Sequence, residues 1–112
     1  MKNTSSAALR RRRHQLVRTL PPMEQLIRGS LIETYKRCGR PSCHCVDGQG
    51  HGPKRYLSTI ARTGEHPRLG YVPNATYPQI AAFLANYRKL QEMLNEICAI
   101  NAELLRRRES LE

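Results

Sequence analysis

Arg37-Cys38-Gly39-Arg40-Pro41-Ser42-Cys43-His44-Cys45-Val46-Asp47-Gly48-Gln49-Gly50-His51-Gly52-Pro53 places three thiols and an imidazole within fourteen residues, from Cys38 to His51. The spacing is Cys-x4-Cys-x-Cys-x5-His. Three cysteines and a histidine are a full tetrahedral ligand set for a structural zinc ion. Gly39, Pro41, Gly48, Gly50, Gly52 and Pro53 punctuate the run. Such residues make the sharp turns that let ligands so close in sequence converge on one ion. The expected metal ligands are Cys38, Cys43, Cys45 and His51, with His44 as the alternative imidazole.

Other uses of the thiols fit less well. Cys98 lies far downstream in a helical segment, where a free cysteine is expected to be a small buried apolar residue. The chain opens with a polar and then arginine-rich stretch rather than an apolar leader, which leads to the expectation of a reducing, cytoplasmic setting. There, clustered cysteines bind metal more often than they pair. Nucleophilic catalysis needs a thiol, a base and an orienting group together, and no such constellation is evident. A filled four-ligand site also leaves no open coordination position for water, so the expectation is a protein that is not an enzyme.

Working outward from the cysteine run, three flanking segments read as strands: 30–37 before it, then 55–61 and 68–72. Ile32, Thr34, Tyr35, Tyr56, Thr59, Ile60, Tyr71 and Val72 are the β-branched and aromatic residues that favour a pleated surface. Thr63-Gly64-Glu65 supplies a turn between the second and third strands. Ligands at the end of one strand and the start of the next would clip a small antiparallel sheet. Lys36, Arg37, Arg40, Lys54, Arg55, Arg62 and Arg68 decorate this unit and are candidate nucleic-acid contacts.

The chain has 112 residues, one Phe, no Trp and a formal net charge of +10. It has room for a small core only, a deficit that a zinc site offsets. A strongly basic balance favours a polyanionic partner. The charge is unevenly placed: residues 1–20 carry +6, residues 21–75 carry +4 and residues 76–112 are neutral.

The neutral third reads as one long helix. Thr76 and Gln79 fit a capping box, Pro78 falls in the first turn, and no Gly or Pro follows before Leu111. Ile80, Tyr87, Leu94, Asn101 and Arg108 recur on one heptad position, and Phe83, Leu90, Ile97, Leu104 and Leu111 three residues later. That pattern is coiled-coil-like, and a single seam Asn is a device for fixing register and strand number. Self-association through Ile80, Phe83, Tyr87, Leu90, Leu94, Ile97, Asn101 and Leu104 is expected, giving a homodimer. An intramolecular helical hairpin is the alternative use of the same stripe.

Residues 1–29 read as a basic arm and helix, with Leu9, Leu16, Val17 and Leu20 as a thin apolar stripe ended by Pro21-Pro22. Met23, Leu26 and Ile27 suggest a short second helical turn capped by Gly29. Arg10, Arg11, Arg12 and Arg13 are candidate phosphate contacts, or else a solvated helix face. The expected organisation is thus α+β: a basic N-terminal helix (1–29), a zinc-stapled sheet (30–75) and a long helix (76–112).

Arg28-Gly29-Ser30-Leu31-Ile32, Arg37-Cys38-Gly39, Cys43-His44-Cys45, His51-Gly52-Pro53, Tyr56-Leu57-Ser58 and Tyr71-Val72-Pro73, followed by Asn86-Tyr87-Arg88 and Leu90, carry a resemblance. They resemble a bacterial family of small uncharacterised proteins often encoded near transposases and recombinases of mobile elements. The resemblance spans roughly residues 25–105. It departs after His-Gly-Pro, where relatives tend to carry aromatics and this chain has Lys54-Arg55. The resemblance implies a mobile-DNA context without implying an activity. The expected function is a zinc-binding DNA-binding accessory protein acting on duplex DNA. The alternatives are an adaptor that binds a recombinase or transposase through its long helix, and an RNA binder whose strand tyrosines stack bases.

Overall fold

A computed structural model describes residues 1–36, 51–60 and 64–112. Five elements follow one another: α1 (Ser6–Arg18), β1 (Ser30–Lys36), β2 (His51–Thr59), β3 (Arg68–Val72) and α2 (Tyr77–Arg106). The architecture is α+β, with the three strands in one antiparallel sheet of order β1-β2-β3. Among the described residues no helix is long and apolar enough to cross a membrane.

The chain divides into two compact units, one of Ile27–Leu84 and one of Met1–Leu26 with Ala85–Glu112. The helix α2 gives its first turns to one unit and the rest to the other.

In the helical unit, Ser5 caps α1 by accepting the Ala8 N–H at 3.1 Å. The helix stops at Arg18, where the Thr19 N–H and hydroxyl both turn back onto the Gln15 carbonyl. Pro21 and Pro22 bar any continuation. Leu9 and Leu16 of α1 are buried against Met93, Ile100 and Leu104 of α2, with Leu20 and Ile97 packed on the cluster. Arg107, just past the end of α2, bonds to Thr4 just before α1, while Arg12 further along α1 bonds to Glu96 further back along α2, so the two helices run antiparallel. This is the intramolecular hairpin.

The hairpin uses a seam next to the expected one. Leu90, Met93, Ile97, Ile100 and Leu104 are the α2 residues in or beside the core, at alternating spacings of three and four. Leu94, on the expected seam, is 48 % exposed.

Two further expectations are corrected in this unit. Cys98 is exposed, because it projects away from the stripe that α1 covers. The long helix ends at Arg106 rather than continuing to Leu111. Arg108 takes a φ of 59°, the Glu109 N–H reaches back to the Leu104 carbonyl at 2.9 Å, and the Arg108 N–H reaches Leu105 at 3.0 Å. That is a Schellman stop, with an arginine at the left-handed position that glycine usually fills.

In the sheet unit, Ser30 to Thr34 of β1 pair with Ser58 to Lys54 of β2, and Arg55 to Thr59 of β2 pair with Val72 to Arg68 of β3. The strand β2 begins four residues earlier than the sequence suggests. Thr34 pairs with Lys54 but Lys36 pairs with His51, so β2 carries an irregularity around Gly52-Pro53. A bulge is one of the few places where a proline fits in a strand. Gly64, at a φ of 88°, makes a left-handed turn in the β2–β3 connection, while Thr63 lies outside the described residues.

Gly29 is no helix cap, and residues 22–25 make only a single turn, closed by the Gln25 N–H on the Pro22 carbonyl. A Cβ at Gly29 would lie 2.6 Å from the Ser58 carbonyl oxygen. Glycine is required there for close backbone approach.

Candidate nucleic-acid interface

The four arginines of α1 divide by their position on the helix. Arg12 makes a two-pronged bond to Glu96, at 2.6 and 3.0 Å. The bond and charge of Arg12 hold the Glu96 carboxyl below its ordinary range. Arg13 donates to the Asn101 side-chain oxygen and the Leu111 carbonyl, both at 2.7 Å. Arg10 donates to the Ser110 carbonyl at 2.8 Å and lies 3.6 Å from Glu109. These three side chains clamp α1 to α2. At the end of α2, Arg107 plays the same part in reverse, reaching the Thr4 and Met1 carbonyls at 2.7 and 2.8 Å.

Arg11 points the other way. It is exposed and lines an open depression with His14, Gln15 and Arg18, which follow at helical spacings on one face of α1, and with Arg10 at the edge nearer α2. Among the described residues neither Arg11 nor Arg18 makes an ion pair. The result is a cationic ridge without a carboxylate partner, suited to a phosphate backbone. The sequence reading did not single out Arg18 or His14. Their spacing from Arg11, at i+3 and i+7, is the signal that places them on its face.

The two faces of the sheet differ in kind. Directly paired residues share a face, so Leu31, Glu33, Arg55, Leu57, Gly70 and Val72 lie together. Val72 is buried, and Leu57 and Val72 share a small apolar depression with Ile80 from the first turn of α2. Arg55 belongs to this inner face. It donates to Glu33 at 3.0 Å and to Asn74 at 3.3 Å, and its guanidinium lies 3.9 Å from the centre of the Tyr77 ring. Three partners hold Arg55 within its own unit.

The outer face carries Ser30, Ile32, Thr34, Lys54, Tyr56, Ser58, Leu69 and Tyr71. Ile32, Tyr56 and Tyr71 form one row straight across the three strands. The Tyr56 and Tyr71 rings meet edge to face with centroids 5.8 Å apart. Tyr71 is 60 % exposed and Leu69 is 65 % exposed. Lys54 and Arg68 are exposed as well, Arg68 on the opposite face from Lys54.

Of the remaining expected contacts, Arg37, Arg40 and Arg62 lie outside the described residues, as does the side chain of Lys36. The expected zinc ligands Cys38, Cys43 and Cys45 and the alternative His44 also lie outside them, as does the His51 side chain. Among the described residues no group of three or more His, Cys, Asp or Glu is placed to hold a metal ion. The backbone does fix the two ends of the cysteine run, because residues 36 and 51 are partners in the β1–β2 ladder.

The expected self-association residues separate in the same way. Leu90 and Leu104 are buried and Ile97 is packed on the core inside the hairpin, while Asn101 is held by Arg13. Ile80, Phe83 and Tyr87 are half-buried. Leu94, Cys98 and Leu105, at spacings of four and seven, are exposed on α2.

No curated protein matches this chain, and no solved structure does either. A family profile does match, over residues 6–82, which takes in α1, the whole sheet and the start of α2. The chain therefore belongs to the family described as Domain of unknown function DUF6788.

Proposed function

We propose that this chain is a non-enzymatic DNA-binding protein that grips the phosphate backbone through the outward ridge of α1 and the basic residues of the sheet unit. The observation that carries the proposal is the separation of the α1 arginines. Arg10, Arg12 and Arg13 are consumed in holding the hairpin, whereas Arg11 and Arg18 face solvent with no described carboxylate partner. A solvated helix face serving only solubility has no need of a charge excess of +10. A polyanion does.

Zinc fits this proposal as a staple. All four expected ligands fall between residues 38 and 51, in the connection whose ends the β1–β2 ladder holds opposite each other. A tetrahedral ion there would fix the basic residues Arg37 and Arg40 relative to the sheet. Homodimer formation has a surface available in Leu94, Cys98 and Leu105, and a dimer would offer two basic units to paired half-sites. The resemblance to proteins encoded beside transposases and recombinases makes an accessory role on mobile DNA the natural setting, with such an enzyme as the protein partner. An adaptor that uses α2 alone is the competing reading, favoured by the same exposed Leu94 and Leu105.

Fluorescence anisotropy with a labelled duplex separates the two. Binding at low salt that weakens steeply as salt rises is the expected result, since each neutralised phosphate contributes about −0.9 to the slope of log K against log salt. Absence of binding at low salt would leave the adaptor.

A further inference from the structure

We infer that the outer face of the sheet is a stacking platform for the bases of an unpaired polynucleotide strand, an inference that rests on the nucleic-acid reading above and specifies its ligand. The row Ile32–Tyr56–Tyr71 crosses all three strands on one face. At its β3 end Tyr71 is 60 % exposed, with Leu69 beside it on the same face. The other face of the sheet already packs within its own unit, through Val72 and Arg55. The outer face is therefore the one that has large apolar groups and nothing described covering them.

Its chemistry selects the occupant. The paired positions of this face hold Ser30, Ile32, Thr34, Lys54, Tyr56, Ser58, Leu69 and Tyr71, with a lysine and no acid among them. An acidic ligand with flat apolar groups matches both features at once: phosphate for the lysine, base for the ring. A second copy of the same face would bring a second lysine and no acid to pair with either. A duplex hides the faces of its bases in the stack, so an exposed aromatic ring on a sheet meets bases only where the strand is unpaired. A two-stranded ribbon fits a major groove about 12 Å wide. Three strands spaced about 4.8 Å apart, with their side chains, are too broad to enter face-on. Serine and threonine at 30, 34 and 58 add hydrogen-bonding groups around the ring row without adding charge.

The chain contains no tryptophan, so Tyr71→Trp introduces a single indole whose emission reports stacking directly. The full-length protein is titrated with oligo-dT, oligo-rU and a mixed-sequence duplex, as wild type and as Tyr71→Trp, Tyr71→Phe and Tyr71→Ala. Circular dichroism and thermal melting confirm that each variant is folded. The expected result is quenching of the indole by oligo-dT or oligo-rU. Tyr71→Ala should lose roughly 5- to 150-fold in single-strand affinity, as expected for one stacked base. Tyr71→Phe should keep that affinity, and duplex affinity should not change.

Single-strand affinity unchanged in Tyr71→Ala, with indole emission unmoved at saturation, would overturn the platform while leaving the phosphate grip intact. A Tyr71→Ala variant that turns a dimer into a monomer and still binds oligo-dT normally would overturn it too, assigning the face to a second copy. Failure of every polynucleotide to bind at low salt would remove both readings together.

Discussion

Arg13 of α1 donates to the side-chain oxygen of Asn101 on α2 across 2.7 Å. Asn101 shares its heptad position with Ile80, Tyr87 and Leu94, where a polar group would ordinarily set the register of an oligomer. Here it is satisfied within the chain. The pair sits beside the buried Leu16–Ile100–Leu104 contact and joins the register of the hairpin to the charge of α1. A residue that looks like a nucleic-acid contact is thus part of what holds its helix in place.

Arg13→Ala should therefore destabilise the protein by about 1.5 kcal/mol, the scale of a hydrogen bond to a charged donor. Arg11→Ala, on the outward ridge, should stay within about 0.5 kcal/mol of wild type. Urea unfolding followed by circular dichroism checks both. Equal effects would mean that the two faces of α1 are not divided as described.

Arg108→Gly should stabilise the end of α2. An L-residue in the left-handed conformation carries a penalty of roughly 1–2 kcal/mol that glycine lacks. A rise in thermal midpoint is expected, and a fall would show that the Arg108 side chain contributes more than its backbone strain removes.

Acid sensitivity should centre on Glu103. Arg106, and then Arg107, hold its carboxyl down to about 2 from an ordinary 4.5. Because the folded value is depressed, this contribution is fully present above about 4.5 and is lost as the pH falls toward 2. Arg107 also ties down Thr4 and Met1, so protonation of Glu103 loosens a shared anchor. Denaturation midpoints between pH 5 and 2 should fall less steeply for Glu103→Gln than for wild type, and parallel curves would contradict the assignment.

Metal removal should act on the sheet unit. If zinc clips the 38–51 connection, purified protein carries one zinc per chain, and a strong chelator should release it and unfold the unit that holds β1 and β2. A Cys38→Ser, Cys43→Ser, Cys45→Ser variant that retained stoichiometric zinc by elemental analysis would exclude these ligands.

The sheet was legible in the sequence because β-branched and aromatic runs separated by glycine and proline leave few other options. Its central strand starts early because Gly52-Pro53 occupies an irregular position in the ladder, where the missing proline N–H does no harm. The long helix was legible too, but its seam was read one column away. Met93 and Ile100 form a further apolar row beside Leu90, Ile97 and Leu104. Periodicity alone cannot choose which two of three adjacent rows a partner will cover. The choice is made by α1, whose Leu9 and Leu16 are seven residues apart and whose Arg12 and Arg13 find Glu96 and Asn101 only on that side. For the same reason an unbroken run of four arginines gives no sign of which is structural. Only the packing of Leu9 and Leu16 decides which way each one points.

The most direct test of DNA binding through the outward ridge is the salt dependence of duplex affinity for wild type and an Arg11→Ser, Arg18→Ser variant. Both arginines lie on the exposed face and neither makes a described ion pair, so the fold should be unaffected. If each neutralises one phosphate, the slope of log K against log salt should become less steep by about 1.8. A variant with the same slope and affinity as wild type would contradict the account.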